Sequence, residues 1–572
     1  MKIALIRGVV TIAELSNLDF QRLKNISGLR WNRTTRCMVG PVSLNLLDGL
    51  ARYYKLPADM ETKRQRLGKT RREIDAERLA EDPAPLLPYP VKANLYKHQI
   101  RGANMALRAF GALDAKTPGG GFGELFEMGC GKTLTTIAVA GALYNLGKID
   151  RVLVVAPTSV CSVWPHDLNQ FAAFPWEARV LLGDKKKRLK ALNELENWPF
   201  KALRIAVINY ESTHREGIYE ALAAYKPDLI VCDESQRIKN PSAAQSKALH
   251  KLGDAAPFRM ILSGTPVQNN AVDLYSQYRF LDPAVYGANF YAFKNRYCIM
   301  GGYGQHQIVG YRNMDELVEK EHSVAYRVTK EECLDLPQQT FINRYVQFTD
   351  AEQAIYEQLR KSSFLELETG ENVTATTILT MYLRLMQLTG GFLTADESTR
   401  PKQVNTAKLD ALADIVDDYV VDAGKKLVIF ARFRAEIAAI ENLLRLRKIQ
   451  YGSIYGDVPM EERGKIVEDF QTNPDTKVFV AQIQTAGLGI TLHAASTAVF
   501  YSYDYNYANY AQALARIHRI GQRFPVTYIH LVVDGSIDEK ILAALENKED
   551  MAKTVVDSWR EVLTAPEKRR NP

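Results

Sequence analysis

Short apolar runs alternate with longer amphipathic stretches along most of the chain. In the first half, four runs rich in β-branched residues end in polar or turn residues: RVLVVAP (151–157), RIAVINY (204–210), LIVCDES (229–235) and RMILSGTP (259–266). A strand that is apolar throughout is buried on both faces, so helices must cover both sides of the sheet. The pattern predicts a parallel α/β sheet with ligands at the carboxyl ends of its strands.

The same pattern returns in the second half and predicts a second parallel α/β lobe. Its runs are KLVIFARF (426–433), KVFVAQI (477–483), TAVFYSY (497–503) and VTYIHLVV (526–533). Between the lobes the sequence is mostly helical and irregular, with one strand-like run, FINRYVQF (341–348). A proline cluster, EDPAPLLPYP (81–90), breaks regular structure and marks the end of an N-terminal segment. The predicted division is 1–90, an accessory domain; 91–290, the first lobe; 291–400, a helical insertion; 401–545, the second lobe; and 546–572, a helix and tail.

Composition adds exclusions to this picture. The 572 residues are 46% hydrophobic and 24% charged, with a net charge of +7 that suits a phosphate-rich partner without requiring one. Six cysteines form no CxxC pair, which argues against zinc and against a disulfide framework. The N-terminus lacks a signal-peptide pattern, and no apolar run approaches the ~20 residues of a membrane span. We therefore expect a cytoplasmic protein without a membrane partner.

The segment GELFEMGCGKTLTTIAVAGALY (123–144) has the composition of a phosphate-binding loop. A short strand leads into the loop and an amphipathic helix follows it, so glycines can turn backbone N–H groups toward a phosphate at the helix N-terminus. Lys132 would reach the β- and γ-phosphates of ATP, and the Thr133 hydroxyl would bind Mg²⁺. Phe126 stands where the strict pattern has glycine, so a Gly-rich turn before a helix is the alternative. The predicted nucleotide-binding residues of the loop are Met128, Gly129, Cys130, Gly131, Lys132 and Thr133.

Two further clusters complete a hydrolytic site. Asp233 and Glu234 end an apolar strand, where Asp233 would hold the metal and Glu234 would orient and deprotonate a water; the alternative is a helix cap. In AQALARIHRIGQ (511–522), Arg516 and Arg519 lie three apart on a predicted helix and could stabilise charge on a γ-phosphate. Solvated surface arginines are the alternative. Because these arginines lie in the second lobe, the hypothesis requires the two lobes to meet at a cleft.

Taken together, these motifs resemble the Swi/Snf-type ATP-dependent DNA translocases of helicase superfamily two, from about Leu95 to about Ala544. The resemblance implies two RecA-like lobes. The matching strings are LYKHQIRGANMAL (95–107), LFEMGCGKT (125–133), APTSVCSVW (156–164), CDESQRIKN (232–240), LSGTPVQNN (262–270), LYSQYRFLDP (274–283), IFARF (429–433), YGDVPMEER (455–463), QTAGLGITLHAA (484–495) and QALARIHRIGQ (512–522). The family's loop also lacks the first glycine.

The resemblance adds site residues and cofactors. It implies ATP with Mg²⁺, Gln99 as the adenine reader with Tyr96 beside it, Gly489 in the nucleotide site, and Gln512 beside the two arginines. This chain has Asp-Glu-Ser-Gln where the family has a DEAH box, so Gln236 could take over the histidine's coupling to the LSGTP motif. The resemblance also implies a groove that holds one DNA strand by its phosphates. Its predicted contacts are Thr158, Ser159, Asn209, Arg432, Thr485 and Thr491.

Two basic stretches could add DNA contacts, DKKKRLKAL (184–192) and the stretch at 63–72. The first is also explained as a solvated face. The second adjoins ISGLRWNRTTRCMVGPVSLNLLDGL (26–50), which resembles the HepA-related accessory domain that recognises branched DNA; a structural cap is the alternative. The leading hypothesis is a translocase on duplex or forked DNA. A strand-separating DNA or RNA helicase and a nucleic-acid-binding scaffold without ATPase activity are the alternatives.

Overall fold

The computed structural model describes residues 1–6, 8–26, 28–113, 119–158, 160–268, 270–287, 289–302, 304, 307–333, 336–369, 375–393, 401–484, 490–519 and 521–552. The chain divides into two compact units. The first extends to Cys333, and the second ends at Asp550. Each contains its own parallel sheet.

The first unit begins with a small antiparallel sheet, whose strands follow the order β1-β2-β4-β3. Its elements are β1 (Lys2–Ile6), β2 (Val9–Ala13), α1 (Asn17–Lys24), β3 (Arg30–Asn32), β4 (Cys37–Pro41), α2 (Leu44–Ala51) and α3 (Ala58–Leu79). Val10, Ile12 and Met38 of the sheet pack against Leu46 and Leu50 of α2, which gives this part a hydrophobic core of its own. The proline cluster that follows contains no helix or strand, as its sequence predicts.

The larger sheet of the first unit has seven strands, all parallel, in the order β13-β5-β10-β9-β6-β8-β7. The elements of this part of the chain are α4 (Lys97–Ala109), β5 (Gly120–Phe126), α5 (Lys132–Asn145), β6 (Arg151–Ala156), α6 (Val163–Phe171), β7 (Trp176–Leu181), α7 (Lys185–Glu196), β8 (Leu203–Asn209), α8 (Ile218–Tyr225), β9 (Leu229–Asp233), α9 (Ala244–Ala255), β10 (Phe258–Leu262), α10 (Asp273–Leu281), α11 (Pro283–Tyr286), α12 (Phe290–Tyr297), β11 (Cys298–Gly301), β12 (Gln307–Tyr311), α13 (Met314–His322), β13 (Ala325–Val328) and α14 (Lys330–Cys333). Strands β11 and β12 form a separate antiparallel hairpin.

The second unit has a six-stranded parallel sheet in the order β14-β21-β20-β17-β19-β18. Its elements are β14 (Gln339–Val346), α15 (Asp350–Thr369), α16 (Ala375–Thr389), β15 (Phe392–Leu393), β16 (Lys402–Gln403), α17 (Ala407–Val416), β17 (Leu427–Ala431), α18 (Arg434–Leu446), β18 (Gln450–Ile454), α19 (Met460–Thr472), β19 (Thr476–Gln482), β20 (Thr497–Phe500), α20 (Tyr507–Leu514), β21 (Val526–Val533) and α21 (Ile537–Ala552). Separate apolar clusters cover its two faces.

The predicted α/β class with two parallel-sheet lobes is confirmed, and each of the eight apolar runs contains a strand. Among the edge strands, β14 overlaps the strand-like run predicted at 341–348. Two others were missed because they are not apolar throughout: β7 (WEARVL) is mostly half-buried and β13 (AYRV) contains an arginine. The segment predicted as a helical insertion, 291–400, contributes one edge strand to each sheet, β13 and β14. In the described part of the chain, no helix has the length and apolar character needed to cross a membrane.

Candidate nucleotide site

The loop between β5 and α5 has the backbone of a phosphate cradle. Gly129 and Gly131 adopt left-handed conformations with φ of 94° and 84°, which L side chains rarely adopt. A Cβ atom on Gly131 would also clash with the Gln99 side-chain nitrogen, so that side chain would have to move. The helix begins immediately afterwards at Lys132, so its first backbone N–H groups face the loop.

Helix α4 supports this loop from outside. The imidazole Nε2 of His98 lies 2.9 Å from the Cys130 carbonyl oxygen, and Gln99 donates to the same oxygen at 3.4 Å. The Gln99 side-chain oxygen accepts the N–H of Tyr96, so both ends of this predicted adenine reader contact the protein itself. The Tyr96 ring is exposed and stacks on His98 with a centroid distance of 5.9 Å. His98 is a supporting residue that sequence reasoning missed, because its role depends on a contact 32 residues away.

Lys132 and Thr133 occupy the first turn of α5, and both side chains are half-buried. The Lys132 ammonium group donates to the Phe126 carbonyl oxygen at 3.0 Å and so extends back across the loop. Met128 and Gly129 are half-buried, whereas Cys130 is buried. The six predicted loop residues are therefore contiguous and include the Lys132 ammonium group.

The acidic pair lies at the end of a neighbouring strand. Leu262 of β10 is in register with Asp233 of β9 on one side and with Glu124 of β5 on the other, so all three stand at one level of the sheet. Trp164 donates its indole N–H to Asp233 at 3.1 Å. Burial raises the pKa of Asp233 to about 7, and the neighbouring charge of Glu234 contributes to that rise. The charge of Lys132 acts in the opposite direction.

Glu234 and Gln236 connect this strand end to the next one. Glu234 has a left-handed backbone with φ of 54°, uncommon for a residue with a side chain, and it sits where the strand turns into a short 3-10 helix. Gln236 donates to the Glu234 carboxylate at 2.7 Å and accepts a hydrogen bond from Ser263 at 2.8 Å. Ser263 belongs to the LSGTP motif, so one amide links the acidic pair to that motif.

Three charged residues near the loop escaped sequence reasoning. Glu124 is fully buried within β5 and accepts a hydrogen bond from Thr136 at 3.2 Å. Arg327 of β13 is buried and donates to the Leu125 and Gly264 carbonyl oxygens and to the Glu127 carboxylate. Glu124 and Glu127 lie in the same segment as the loop, whereas Arg327 comes from β13, and only the pairing of β13 with β5 brings it to Glu127.

In the second unit, the predicted helix through Arg516 and Arg519 is wrong, because α20 ends at Leu514 and both arginines lie in the turns that follow. Their guanidinium groups nevertheless lie on the same side, since each donates to the Ile490 carbonyl oxygen, at 3.5 Å and 3.3 Å. Arg516 and Gln512 are buried, and burial lowers the pKa of Arg519. Gly489 lies outside the described residues.

The predicted DNA contacts have different environments. Thr158 is exposed after β6, and Thr491 is half-buried. Asn209 is buried at the end of β8, where it accepts from Arg188 and donates to Glu211, both at 2.9 Å. Arg432 is paired with Asp504 at 3.5 Å. Ser159 and Thr485 lie outside the described residues.

Comparison with known proteins identifies the family. The sequence model of the SNF2-related domain matches residues 27–390, and that of the helicase conserved C-terminal domain matches 407–521.

Several curated relatives are similar at low identity. They include chromodomain-helicase-DNA-binding protein 1-like of Danio rerio (27% identity, over 76% of this chain and 42% of that protein), the DNA annealing helicase and endonuclease ZRANB3 of Mus musculus (27%, 84% and 42%) and the uncharacterized ATP-dependent helicase MG018 of Mycoplasma genitalium (24%, 80% and 42%). The chain spans about two fifths of the length of these relatives. Among solved structures, the Sulfolobus solfataricus SWI2/SNF2 ATPase core in complex with dsDNA has 27% identity and a TM-score of 0.40, over 83% of this chain and 95% of that one.

The SNF2-related match covers well over half of the chain and includes the phosphate-binding loop, the acidic pair and the LSGTP motif. The second match includes Arg516 and Arg519. The chain therefore belongs to the SNF2-related family.

Proposed function

We propose that this protein is an ATP-dependent motor that hydrolyses ATP and moves along duplex DNA. One observation carries the proposal: the glycine loop with Lys132 and the acidic pair Asp233–Glu234 follow strands held at one level of the same parallel sheet. A cation and backbone N–H groups beside two carboxylates are what phosphoryl transfer to water requires.

Each group of site residues has a separate role in the proposed hydrolysis. The loop amides and Lys132 bind the nucleotide phosphates, which replace the Phe126 carbonyl as the partner of the Lys132 ammonium group. Glu234 orients the attacking water and accepts its proton, while Gln236 holds the carboxylate in place. Arg516 and Arg519 of the second unit stabilise the charge on the transferred phosphoryl group.

The chemistry of this donor set suits Mg²⁺. Thr133 supplies a hydroxyl oxygen and Asp233 a carboxylate, the oxygen ligands that Mg²⁺ prefers. Burial makes the charged form of Asp233 costly, and a divalent cation would offset that cost. When bound, the ion neutralises phosphate charge.

The test is ATP hydrolysis by the full chain with duplex DNA, forked DNA, single strands and RNA. We expect duplex or forked DNA to stimulate hydrolysis. Lys132→Ala should lower hydrolysis at least 100-fold while DNA binding is retained, because the proposed contacts of this lysine are to the phosphates of ATP and not to DNA. Lys247→Ala, on the exposed surface of α9, is the matched control. Stimulation by RNA alone would favour a helicase on RNA, and an inactive wild type would favour a scaffold.

We further propose that the N-terminal sheet is a DNA-binding surface. Residues 1–57 contain nine basic and three acidic residues, a net charge of +6 out of +7 for the whole chain. The basic stretch on α3 is partly neutralised, since Arg64 pairs with Asp48 and Glu61 and Arg71 pairs with Asp75. In contrast, the β3–β4 hairpin exposes three arginines beside the exposed ring of Trp31, namely Arg30, Arg33 and Arg36.

A charge-matched comparison tests this surface. Replacing the three hairpin arginines with alanine should weaken DNA binding at least tenfold at low salt and reduce its salt dependence, because fewer phosphates are neutralised. The control replaces Lys185, Lys186 and Lys187 of α7, which are also exposed, and should have a smaller effect. Equal losses in the two triple variants would refute a specific role for the hairpin. Hydrolysis without DNA should remain unchanged in both.

A further inference from the structure

Two thiols face each other at the phosphate-binding loop. Cys130 lies between the two left-handed glycines of the loop and is buried, while Cys333 is the last residue of α14 and is half-buried. Their sulfur atoms are 3.2 Å apart, with the Cys333 thiol donating to Cys130. They are separated by 203 positions in sequence, so the fold alone makes them neighbours.

The scaffold around them keeps the two segments together. Strands β5 and β13 are adjacent and parallel, and their last residues, Phe126 and Val328, are in register. Beyond the strand ends, the N–H of Glu127 donates to the Val328 carbonyl at 2.9 Å, and the N–H of Lys330 donates to the Glu127 carboxylate at 3.0 Å. Each cysteine follows within a few residues, so this pair does not rest on a chance side-chain contact.

The surroundings also distinguish the two thiols chemically. The hydrogen bond from Cys333, with the charges of Lys132 and Lys330, lowers the pKa of Cys130, although burial opposes this. The same hydrogen bond and burial raise the pKa of Cys333. Cys130 is therefore the better nucleophile, and Cys333 is placed to attack it in a second step.

We propose that Cys130 and Cys333 form a reversible disulfide that switches the phosphate-binding loop off when a peroxide is present. In the first step the Cys130 thiolate attacks one peroxide oxygen, the O–O bond breaks, and the products are a sulfenic acid and, after protonation, water. In the second step the Cys333 sulfur attacks the Cys130 sulfur, the S–S bond forms, the S–O bond breaks, and a second water leaves with the Cys333 proton. The two thiols lose two electrons and the peroxide gains them. A dithiol reductant then reduces the Cys130–Cys333 disulfide to two thiols and is itself oxidised to a disulfide.

The bond would change the loop that contains Cys130. A disulfide joins sulfurs about 2.05 Å apart, so the two must approach by about 1 Å, and the loop is then tied to the end of α14. The Cys130 carbonyl already contacts His98, and the flanking glycines are the flexible points at which the backbone must adjust. Such an adjustment would displace the backbone N–H groups of the loop and so weaken phosphate binding. This consequence rests on the proposed function, whereas formation of the bond does not.

The experiment treats the full chain with hydrogen peroxide and then blocks free thiols. Peptide mapping without reduction should find a Cys130–Cys333 cross-link. Binding of a fluorescent ATP analogue and DNA-stimulated hydrolysis should each fall at least tenfold as the cross-linked fraction approaches completion, and dithiothreitol should restore both. Cys333→Ser should keep the activity of the reduced wild type and lose the sensitivity to peroxide. Cys37→Ser, on the N-terminal sheet, is the control and should respond as the wild type does.

Several results would overturn the switch: no cross-linked peptide, a cross-link without loss of nucleotide binding, or equal inhibition of wild type and Cys333→Ser. Cys333→Ala repeats the test should the serine variant fold poorly. If the reduced wild type does not hydrolyse ATP, the proposed function fails, but peptide mapping and analogue binding still decide whether the thiol pair controls the loop.

Discussion

Glu124 is a carboxyl group inside the apolar strand that leads to the phosphate-binding loop. It is fully buried and its Oε2 accepts a hydrogen bond from Thr136, whereas its Oε1 has no hydrogen-bond partner among the residues that the structure describes. Burial raises the pKa of Glu124 to about 8, opposed by the Thr136 hydrogen bond and by the charge of Lys132. The folded protein therefore binds this proton more tightly than the unfolded chain does.

This single residue makes stability depend on pH in a definite direction. Because the folded-state pKa lies above the unfolded value of about 4, the contribution of Glu124 is fully present below pH 4 and is lost as pH rises toward 8. The unfolding free energy of the wild type should decline between pH 5 and pH 9. In Glu124→Gln, urea denaturation should show a decline that is smaller by on the order of 3 kcal/mol. The part of the decline that comes from Asp233, whose pKa is also raised, to about 7, should remain in this variant. The exposed Glu196→Gln is the control, and identical pH slopes in the two variants would contradict the assignment.

At the scale of elements, a buried ion pair joins helices of the second unit. Lys408 of α17 and Asp538 of α21 lie 2.7 Å apart with side chains 0% and 2% exposed. Lys408 also donates to the Tyr501 carbonyl, and Asp538 accepts from Thr389 and from the N–H of Val533. The pair therefore ties two helices to strand ends at the same side of one sheet.

Removing one partner should be costly, because the other charge would stay buried without its counter-charge. Lys408→Met should destabilise the second unit by about 3–5 kcal/mol, measured as a lower midpoint of its calorimetric transition. Lys425→Met removes an exposed lysine and should shift stability by less than about 0.5 kcal/mol. A Lys408→Met, Asp538→Leu double variant should recover part of the loss. Equal effects of Lys408→Met and Lys425→Met would show that the pair is dispensable.

At the scale of the molecule, the proposed hydrolytic groups are divided between two units with separate sheets and cores. Lys132, Asp233 and Glu234 belong to the first, and Arg516 and Arg519 to the second. Under the proposed function, such a division would make hydrolysis depend on both units, as in motors that couple chemistry to movement.

Arg519→Ala tests this division without touching the nucleotide loop. We expect kcat to fall at least 100-fold while ATP still binds, since the arginine acts on charge that develops during phosphoryl transfer. Arg523→Ala, an exposed neighbour, should keep hydrolysis within twofold of the wild type. Full activity of Arg519→Ala would mean that hydrolysis does not require Arg519. The measurement is steady-state hydrolysis with saturating DNA, alongside equilibrium nucleotide binding.

Local patterns were enough to predict much of this protein. Apolar β-branched runs predicted the central strands, because burial on both faces leaves no polar positions. The Gly-Cys-Gly-Lys-Thr loop between strand and helix could also be predicted, because adjacent residues decide both the left-handed backbone and the helix N-terminus. The helix assigned to Arg516 and Arg519 failed, since periodicity does not show that α20 ends at Leu514.

Contacts between distant segments required the tertiary structure. Strand order puts Glu124, Leu262 and Asp233 at one level, brings Arg327 to Glu127, and places Cys333 beside Cys130. Local sequence does not predict these contacts. They depend on which strands become neighbours, and in a parallel sheet the crossover connections can pair strands that are remote in sequence. The sequence by itself determined the parallel α/β architecture and the position of the glycine loop before α5. Only the fold decided which buried charges and thiols surround that chemistry.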